Sequence, residues 1–346
     1  IKVKELKKIK IEDALLKILS SPNHSNKSWI TDQYDQIVMC DTIQKSGGDS
    51  AVIRIHNKEK AIAISVDSSA NYCKADPKSG GKQIVCENWR NLISVGASPL
   101  AITNCLNFGN PEKPKIMGEF VECIEGMKEA CEFLNFPVVS GNVSFYNETN
   151  SKGINPTPVI GGIGLLNKLN KIINMKLKKT NSLVIVIGKT IGHIEQSAFL
   201  QENFKIYDGP PPEINLTNEK NNGLAVLKLI KDNLVLSAHD ISSGGMLTSL
   251  AEMSMASKIG LKIYKPKKLM DSIEYFFSED QGRYLIEIDK NNRKKIESLL
   301  KENNIFSEVI AEVQNDIFEI EKTFSIKVSD LYNSNNQWYN KFNAIK

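Results

Sequence analysis

Apolar and polar positions in the first half of the chain follow two periods, and each period predicts a different element. Residues 11–19 place apolar side chains at helical spacing and run into a Ser-Ser-Pro sequence, which predicts a helix that ends there. Residues 51–56 and 61–66 have strand-like patterns, and the short polar link between them predicts a hairpin. The same half contains these further predicted elements: a helix at 80–95, a strand at 99–103, a helix at 114–134, a strand from 137 and a Gly-rich buried strand at 157–166.

A basic, Asn-rich stretch at 167–181 separates the two halves, and we interpret it as a linker between domains. Strands alternate with helices on both sides of it, which predicts two α/β or α+β domains, and 346 residues exceed what one core usually fills. The expected boundaries are a leader helix at 1–34, an N-terminal domain at 35–168, a C-terminal domain at 175–325 and a tail at 326–346. The second half contains these predicted elements: a buried strand at 182–188, a Pro-rich loop at 208–212, a helix at 218–232, a strand at 233–238, a helix at 244–257, a strand at 283–288, a helix at 290–303 and a strand at 305–313.

Composition narrows the class of protein. Apolar residues make up 41% and charged residues 24%, as in an ordinary globular protein, and no apolar run is long enough to cross a bilayer. The net charge is only +4 and the Lys-rich stretches lack interleaved aromatic residues, which disfavours a nucleic-acid surface. The six cysteines have no zinc-type spacing, so we expect free thiols in a reducing, cytoplasmic setting. The chain begins at Ile1 rather than Met, and we expect further sequence upstream.

The strongest local signal for chemistry lies at residues 140–149. Gly141 follows a predicted strand and lets backbone approach a ligand. Asn142, Ser144 and three further residues up to position 148 carry oxygen- or nitrogen-bearing side chains. Such a cluster after a strand suits a hard cation or a phosphate, but a polar turn has the same composition. The residue types alone leave both interpretations open.

Weaker signals come from short Gly- and Asp-containing segments. Residues 103–111 end a strand in a polar loop, where α/β folds place ligand groups. The pairs at 47–48 and 80–81 offer flexible amide donors for phosphate, and Asp49 and Asp67 offer carboxylates for a cation. For each segment taken alone, an ordinary turn or hairpin is the favoured interpretation. No Walker-type phosphate loop, HExxH motif or G-x-S-x-G motif occurs in the sequence.

In the second half, residues 239–246 lie between a predicted strand and a predicted helix. Asp240 or Ser242 would cap that helix in one interpretation. In the other, Gly244 and Gly245 form a helix N-terminus that receives an anion. Residues 279–283 either pair carboxylates with an arginine or form a turn. Three histidines have no partner identifiable from the sequence, so we expect them to be exposed or locally bonded: His24, His56 and His193.

Five segments of the chain carry a joint pattern: 27–35, 47–49, 105–114, 140–149 and 156–159. Together they resemble one family, the phosphoribosylformylglycinamidine synthases, and specifically the second half of the synthetase subunit. The resemblance runs from about residue 11 to about residue 320 and is most specific in the first domain. It implies an aminoimidazole ribonucleotide synthetase-like N-terminal α/β domain, which joins a shared barrel-like interface, followed by a C-terminal α+β domain. Two such halves pack as a pseudo-dimer in the family.

The resemblance also implies a reaction. ATP activates the amide oxygen of formylglycinamide ribonucleotide, and ammonia from a glutaminase partner then displaces phosphate, with Mg²⁺ neutralising the phosphate charge. A small scaffold subunit is the other implied partner. The implied roles are ATP contact for Asn104 and Gly141, a magnesium ligand for Asn142 and substrate contact for Ser144. Weaker candidates for the site are Asp67, Asp240, Gly244 and Gly245.

Two positions depart from the family pattern, since Asn104 and Ser243 stand where the family usually carries aspartate. The histidine-containing motifs of the family's first half have no counterpart here, so we assign no catalytic residue to this half and expect the isolated chain to be inactive. One hypothesis is that the chain completes the ligase site of a catalytic first half. The alternative is a non-catalytic, nucleotide-binding or structural half. Unpaired strands near 50–66 and 157–165 predict a homodimer of the isolated chain.

Overall fold

The first half of the chain is built on a six-stranded sheet. The structure, a computed structural model, describes residues 8–266 and 270–344. The predicted hairpin is confirmed, because its two strands pair antiparallel with Ala51 opposite Ile64. Two further short strands, β6 (Glu148–Thr149) and β7 (Lys152–Gly153), form a separate hairpin. In sheet order, the six strands are β1 (Thr42–Gln44), β2 (Ala51–Arg54), β3 (Ala61–Asp67), β8 (Thr157–Leu166), β4 (Ser98–Asn107) and β5 (Val138–Ser144).

Two long helices cover one face of this sheet, α4 (Pro77–Ser94) and α5 (Pro114–Leu134). Helix α4 begins earlier than predicted because Pro77 occupies its first turn and the Asp76 carboxylate accepts a hydrogen bond from Ser79 N at 2.9 Å. Gly80 and Gly81 therefore lie inside the helix, and the prediction that they form a phosphate-binding loop is wrong. Their lack of side chains serves packing, since a Cβ on Gly81 would lie 2.2 Å from the Cys123 carbonyl oxygen of α5.

A seven-stranded sheet, antiparallel except for one parallel pair, forms the second half. The strand predicted at 233–238 starts later, at Ser237, because Asn233 takes a positive φ of 58° where the preceding helix ends. In sheet order, the strands are β10 (Ser237–Asp240), β12 (Tyr284–Ile288), β9 (Leu183–Ile187), β13 (Ser307–Gln314), β11 (Gly260–Ile263), β14 (Ile317–Ile320) and β15 (Phe324–Lys327).

The leader and the tail both pack onto the second domain. The leader helix buries Ala14, Leu15, Ile18 and Leu19 completely in the same apolar cluster as Leu331 from the C-terminal helix. The predicted tail is thus largely helical, and the boundaries 35–168 and 175–325 remain predictions. The other helices are α1 (Ile11–Leu19), α2 (Ser28–Thr31), α3 (Ala70–Ala75), α6 (Ala198–Phe204), α7 (Leu216–Lys231), α8 (Gly245–Ser257), α9 (Ser272–Phe277), α10 (Arg293–Glu302) and α11 (Val328–Ala344).

One continuous apolar cluster joins the two domains. It runs from the covered face of the first sheet, through Trp89 of α4, to Val226 of α7 and Tyr284 of the second sheet. Because these residues are buried together, the two domains dock as one packed body. In the part of the chain that the structure describes, no helix has the length and apolar character needed to span a membrane.

Gly126→Ala is expected to lower the free energy of unfolding by about 1–3 kcal/mol, because it overpacks the contact between α4 and α5. The added Cβ would lie 1.9 Å from the Lys78 carbonyl oxygen. Gly118→Ala, in the same helix, is the matched control, since nothing lies within 4 Å of its added Cβ. The control should raise stability by about 0.5–1 kcal/mol through helix propensity. Urea unfolding measures both, and equal effects would contradict the close packing.

Candidate functional site

The residues with implied ligand roles lie on the neighbouring strands β4 and β5. These strands pair in parallel, with Asn104 opposite Gly141 and Asn107 opposite Ser144. A Cβ on Gly141 would lie 2.0 Å from Asn104 Oδ1, so the glycine makes room for the amide. Residues 140–144 lie within β5, and the expectation that this segment is a loop after a strand is wrong. Its backbone is ordered by pairing with β4.

The alternation of side chains along a strand divides this group between the two faces of the sheet. Asn104 and the position of Gly141 share one face, while Asn142 and Ser144 project from the other. Because β5 is the last strand of its sheet, both faces can be reached around its free edge. Gly141 and Asn142 are exposed and Ser144 is half-buried. The four residues are therefore adjacent but do not converge on one point.

The polar residues that follow β5 hold the loop together. Asn147 Nδ2 donates to the Phe108 carbonyl oxygen at 2.9 Å and to Ser144 Oγ at 3.1 Å. Glu148 accepts from Lys113 Nζ at 2.7 Å and from Asn110 N at 3.1 Å. The hydrogen bond from Lys113 lowers the pKa of Glu148, which keeps its carboxylate charged. These contacts are those of a structured turn, so they leave Asn142 and Tyr146 as the exposed members of the cluster, while Ser144 is half-buried and bonded to Asn147.

A second polar site lies between the domains, and we call it the interdomain cleft. It has a volume of about 310 Å³ and is bounded by α3 and α4, by α6, by the loop before α8 and by the leader loop at 20–27. Gln83 and Glu87 line it from α4. Gln83 is buried, and its Oε1 has no hydrogen-bond partner among the described residues. An unpartnered buried acceptor is costly unless a donor or a cation enters the cleft.

Asp67 lies beside the cleft at the end of β3. Its carboxylate accepts from Asn88 Nδ2 at 2.7 Å and from Asn91 Nδ2 at 2.8 Å. Burial raises the pKa of Asp67 well above its ordinary value, and the nearby charge of Glu87 adds to this effect. A cation beside the Asp67 carboxylate would favour its charged form and lower this pKa, so the predicted role of Asp67 in holding a cation is compatible with its surroundings.

A buried arginine uses another of the predicted residues. Arg90 is completely buried and donates to Glu219 at 2.8 Å, to Gln281 at 3.0 Å and to Asp240 at 3.3 Å. Burial raises the pKa of Asp240 to about 7, although the positive charge of Arg90 opposes this. Asp240 thus helps to neutralise Arg90 at the domain interface.

The loop before α8 differs from both interpretations of its sequence. Gly244 is the N-cap residue, with a φ of +83°, and neither Asp240 nor Ser242 caps the helix. The Gly244 N–H donates at 2.7 Å to Glu279, which also accepts from Ala198 N and from the Tyr72 hydroxyl. The amide predicted to receive an anion is therefore already bonded to a carboxylate from a distant segment. Burial raises the pKa of Glu279 to about 7.

His239 pairs with two acidic residues, Asp49 from the first domain and Glu252 from its own domain. Its Nδ1 lies 2.6 Å from Asp49 Oδ1, and its Nε2 lies 3.1 Å from Glu252 Oε2. Although burial opposes its charge, Asp49 and Glu252 raise the pKa of His239 well above its ordinary value. Asp49, His239 and Asp240 form the one group of three possible metal ligands among the described residues. Because His239 and Arg90 already pair with these carboxylates, the predicted role of Asp49 in holding a cation finds no support in this geometry.

The three remaining histidines all have partners. His24 Nε2 lies 2.8 Å from Ser243 Oγ, a contact across 219 positions that the sequence did not indicate. His56 bonds Asp41, 15 positions away, and His193 bonds the Pro210 carbonyl oxygen, 17 positions away. The arginine at 283 does not pair with carboxylates through hydrogen bonds, because it donates to two backbone carbonyls and to a threonine hydroxyl.

Two family descriptions match the chain. Residues 47–166 match the AIR synthase related protein, N-terminal domain, and residues 179–321 match the C-terminal domain of the same family. The chain belongs to the AIR synthase related family. This confirms the predicted fold class, an N-terminal α/β domain followed by a C-terminal α+β domain.

Relatives named phosphoribosylformylglycinamidine synthase subunit PurL confirm the resemblance seen in the sequence. The protein from Pelagibacter ubique is 51% identical over 338 residues, which cover 98% of this chain and 46% of that protein. The protein from Bartonella bacilliformis is 41% identical over 344 residues, with 99% and 46% covered. The chain thus spans about half the length of the curated relatives it matches.

Solved structures show the same fold at low identity. Thermotoga maritima PurL complexed with FGAR has a TM-score of 0.75 at 16% identity, covering 93% of this chain and 53% of that one. The HypE-HypF complex has a TM-score of 0.64 at 18% identity, covering 87% of this chain and 97% of that one. A solved chain that is covered almost completely by this one therefore has the same fold.

Sequence reasoning missed the polar stripe of α4 that faces the second domain. Gln83, Glu87, Arg90 and Asn91 follow helical spacing, but polar residues on a helix usually indicate a solvated face. The signal that could have revealed the stripe is that this helix also carries apolar residues on its other sides, which indicates burial all round. In the structure, 13 of its 18 residues are buried.

Arg90→Met is expected to lower the free energy of unfolding by about 3–5 kcal/mol, because it leaves Asp240 and Glu219 buried without their cation. Arg293→Met is the matched control, since Arg293 pairs with Glu297 on an exposed helix surface. The control should change stability by less than about 1 kcal/mol. Urea unfolding at pH 7 compares the two, and a cost for Arg90→Met no larger than the control's would refute the role of this network.

Proposed function

We propose that this chain is the C-terminal half of an ATP- and Mg²⁺-dependent ligase of de novo purine biosynthesis. The whole enzyme would convert formylglycinamide ribonucleotide to formylglycinamidine ribonucleotide with glutamine-derived ammonia in the cytoplasm. The observation that carries the proposal is the 51% identity over nearly the whole chain to a PurL protein. The exposed positions of Gly141 and Asn142 on an edge strand give additional support.

In this proposal the edge of β5 forms one wall of the ligase site. Gly141 leaves its strand backbone open to ATP, and the Asn104 amide beside it supplies a second contact. Asn142 offers an amide oxygen to Mg²⁺, which would neutralise the phosphate charge, and Ser144 offers a hydroxyl to the substrate. The Asn142 and Ser144 side chains lie on the opposite face of the sheet from Asn104. ATP, Mg²⁺ and the substrate would therefore have to wrap around the free edge of β5.

The other wall must come from a partner. The four proposed contacts are amides, a hydroxyl and backbone, so they supply no negative charge for magnesium. The described residues show no group of three metal-ligating side chains at β5. We propose that the catalytic first half of the enzyme supplies the remaining ligands and the catalytic residues. A glutaminase subunit and a small scaffold subunit would complete the assembly.

Asn142→Ala is expected to reduce ligase activity at least about tenfold when this chain is combined with a separately produced first half, because one magnesium ligand is lost. The assay follows ATP- and ammonia-dependent amidination of formylglycinamide ribonucleotide. Asn155→Ala, an exposed asparagine outside β5, is the control and should retain full activity. Full activity of Asn142→Ala in a mixture that depends on both halves would rule out the magnesium role.

The open face of the first sheet supports the expected pairing of halves. Helices cover one face, while the other exposes Ile53 at 40%, Ile64 at 37%, Val66 at 67% and Ile163 at 44%. Ile64 and Ile163 are direct cross-strand neighbours, so these side chains form a connected apolar surface. Such a surface marks an association site in a globular protein. In the enzyme the first half would cover it, and in the isolated chain a second copy would do so.

Ile64→Asp is expected to convert a homodimer of the isolated chain into a monomer, because it places a charge in the centre of the open sheet face. Sedimentation velocity measures the change. Leu224→Asp is the matched control, since Leu224 is 48% exposed on α7, away from this face, and its variant should stay dimeric. A wild-type chain that sediments as a monomer would disprove the pairing.

The second candidate function is a nucleotide-binding half without catalytic activity. The observation that favours it is the interdomain cleft, a half-open cavity of about 310 Å³ that is lined by Glu87 and Gln83 from α4. Unlike the edge of β5, this cleft is complete within one chain. Binding of a magnesium-bound nucleotide to the isolated chain would favour this function.

A further inference from the structure

The leader loop at 20–27 reaches across the second domain to the mouth of the interdomain cleft. Its backbone is held from α11, where Asn335 Nδ2 donates to the Leu19 and His24 carbonyl oxygens at 3.0 Å each. Lys27 Nζ closes the loop from inside by donating to the Pro22 and Ser25 carbonyl oxygens. The loop is therefore fixed on both sides, and the position of His24 follows from this scaffold.

His24 is the titratable side chain that this loop brings to the cleft. It is half-buried, and its two ring nitrogens lie against neutral hydroxyl groups, Ser21 Oγ at 3.1 Å and Ser243 Oγ at 2.8 Å. The neighbouring Asn23 donates to Glu202 of α6 at 3.1 Å, which ties the same loop to a second wall of the cleft. His24 thus faces the cleft between two hydroxyls rather than against a carboxylate.

The charged groups around His24 are committed to other partners. Glu252 of α8 bonds His239, and Glu202 of α6 bonds Asn23 and Lys205. Lys27, the one cation among the groups that influence His24, donates to the loop carbonyls. Burial is the largest influence and lowers the pKa of His24 from its ordinary value. The imidazole is therefore mostly neutral at pH 7 and can gain a proton when an anion approaches.

The cleft lining indicates which anion this would be. Glu87 offers a carboxylate to a cation, while Ser243 and the second amide hydrogen of Asn71 can donate to anionic oxygens. Ser68, by contrast, already donates to the Pro158 carbonyl oxygen. A bare phosphate would be repelled by Glu87, and a bare cation would leave Ser243 and Asn71 without an anionic partner. A phosphate chain that carries its own divalent cation satisfies both sets.

We propose that His24 is a ligand-binding residue of the interdomain cleft, where its Nε2 donates to a phosphate oxygen of a magnesium-bound nucleoside diphosphate or triphosphate. The inference rests on the nucleotide-binding function proposed above, and it adds His24 as a contact residue and the uptake of a proton on binding. On binding, the Ser243 hydroxyl loses its hydrogen bond with His24 and donates to the same phosphate instead. Because the phosphate raises the pKa of His24, binding takes up a proton and affinity falls as pH rises through the pKa of the bound state.

The test is isothermal titration calorimetry of the full chain with magnesium-ADP, from pH 6 to pH 8, in two buffers of different ionisation enthalpy. The wild-type chain is expected to take up protons on binding. His24→Gln should remove part of this uptake and weaken binding about tenfold at pH 6, because a charge-assisted hydrogen bond is lost. Asp240 and Glu279 titrate in the same range, so the difference between wild type and His24→Gln isolates the contribution of His24.

Two further variants distinguish ligand contact from a structural role. His56→Gln changes an exposed histidine outside the cleft and should match wild type in affinity and proton uptake. Ser243→Asp places a carboxylate beside His24, which should pre-charge the imidazole, compete with the phosphate and reduce both affinity and proton uptake. A loss of affinity in His24→Gln with unchanged proton uptake would overturn the proposal in favour of a structural role.

The outcomes separate this inference from the function on which it rests. If His24→Gln binds magnesium-ADP with wild-type affinity and proton uptake, the role of His24 is refuted while nucleotide binding stands. If the wild-type chain binds neither magnesium-ADP nor magnesium-ATP, the nucleotide-binding function fails and the role of His24 fails with it. ADP in the presence of a chelator should bind weakly, and equal binding without magnesium would overturn the proposed ligand class.

Discussion

The buried guanidinium of Arg90 is the contact on which the arrangement of the two domains depends. A fully buried cation is tolerated only when its hydrogen-bond donors are satisfied by fixed partners. Here those partners, Glu219, Asp240 and Gln281, come from three separate segments of the second domain, whereas Arg90 itself belongs to the first. Any rotation between the domains would break at least one of these bonds. The network therefore fixes the shape of the cleft, whose wall α4 supplies Gln83 and Glu87 from the same helix.

Helix α4 serves two purposes that make opposite demands on its sequence. On one side Gly81 allows α5 to approach to backbone contact, which favours small residues and complete burial. On the other side Gln83, Glu87 and Asn91 recur at intervals of four and place polar groups towards the cleft and Asp67. Polar residues on a helix this deeply buried cost stability, and an unpartnered acceptor such as Gln83 Oε1 adds to that cost. Such a local conflict is typical of a functional surface.

The parts of the fold that sequence predicted best are those set by local periodicity. The helix at 114–134 and the hairpin around residues 57–60 both follow from patterns a few residues long. The sequence failed where a distant segment decides the outcome. Gly80 and Gly81 resemble a phosphate loop until the contact of Gly81 with Cys123 of α5 is known, and the Gly244 N–H at the start of α8 bonds Glu279, 35 positions away. The leader histidine, His24, has a partner that no local pattern could reveal.

The same limit applies to the two candidate sites, and their chemistry differs accordingly. The edge of β5 could be identified from sequence because Gly141, Asn142 and Ser144 lie within four consecutive positions, and such a short motif can be recognised without knowledge of the fold. The cleft could not, because its groups come from α4, the leader loop, and the segments around Ser243 and Glu279. The edge offers neutral groups and is open on one side, so it can position a phosphate chain only when a partner adds charge. The cleft already contains carboxylates and neutral donors within one packed body, so a metal-bound phosphate needs no second chain there. If both sites take nucleotides, the cleft is the one whose affinity should survive isolation of this chain, because its ligands are held by intramolecular contacts.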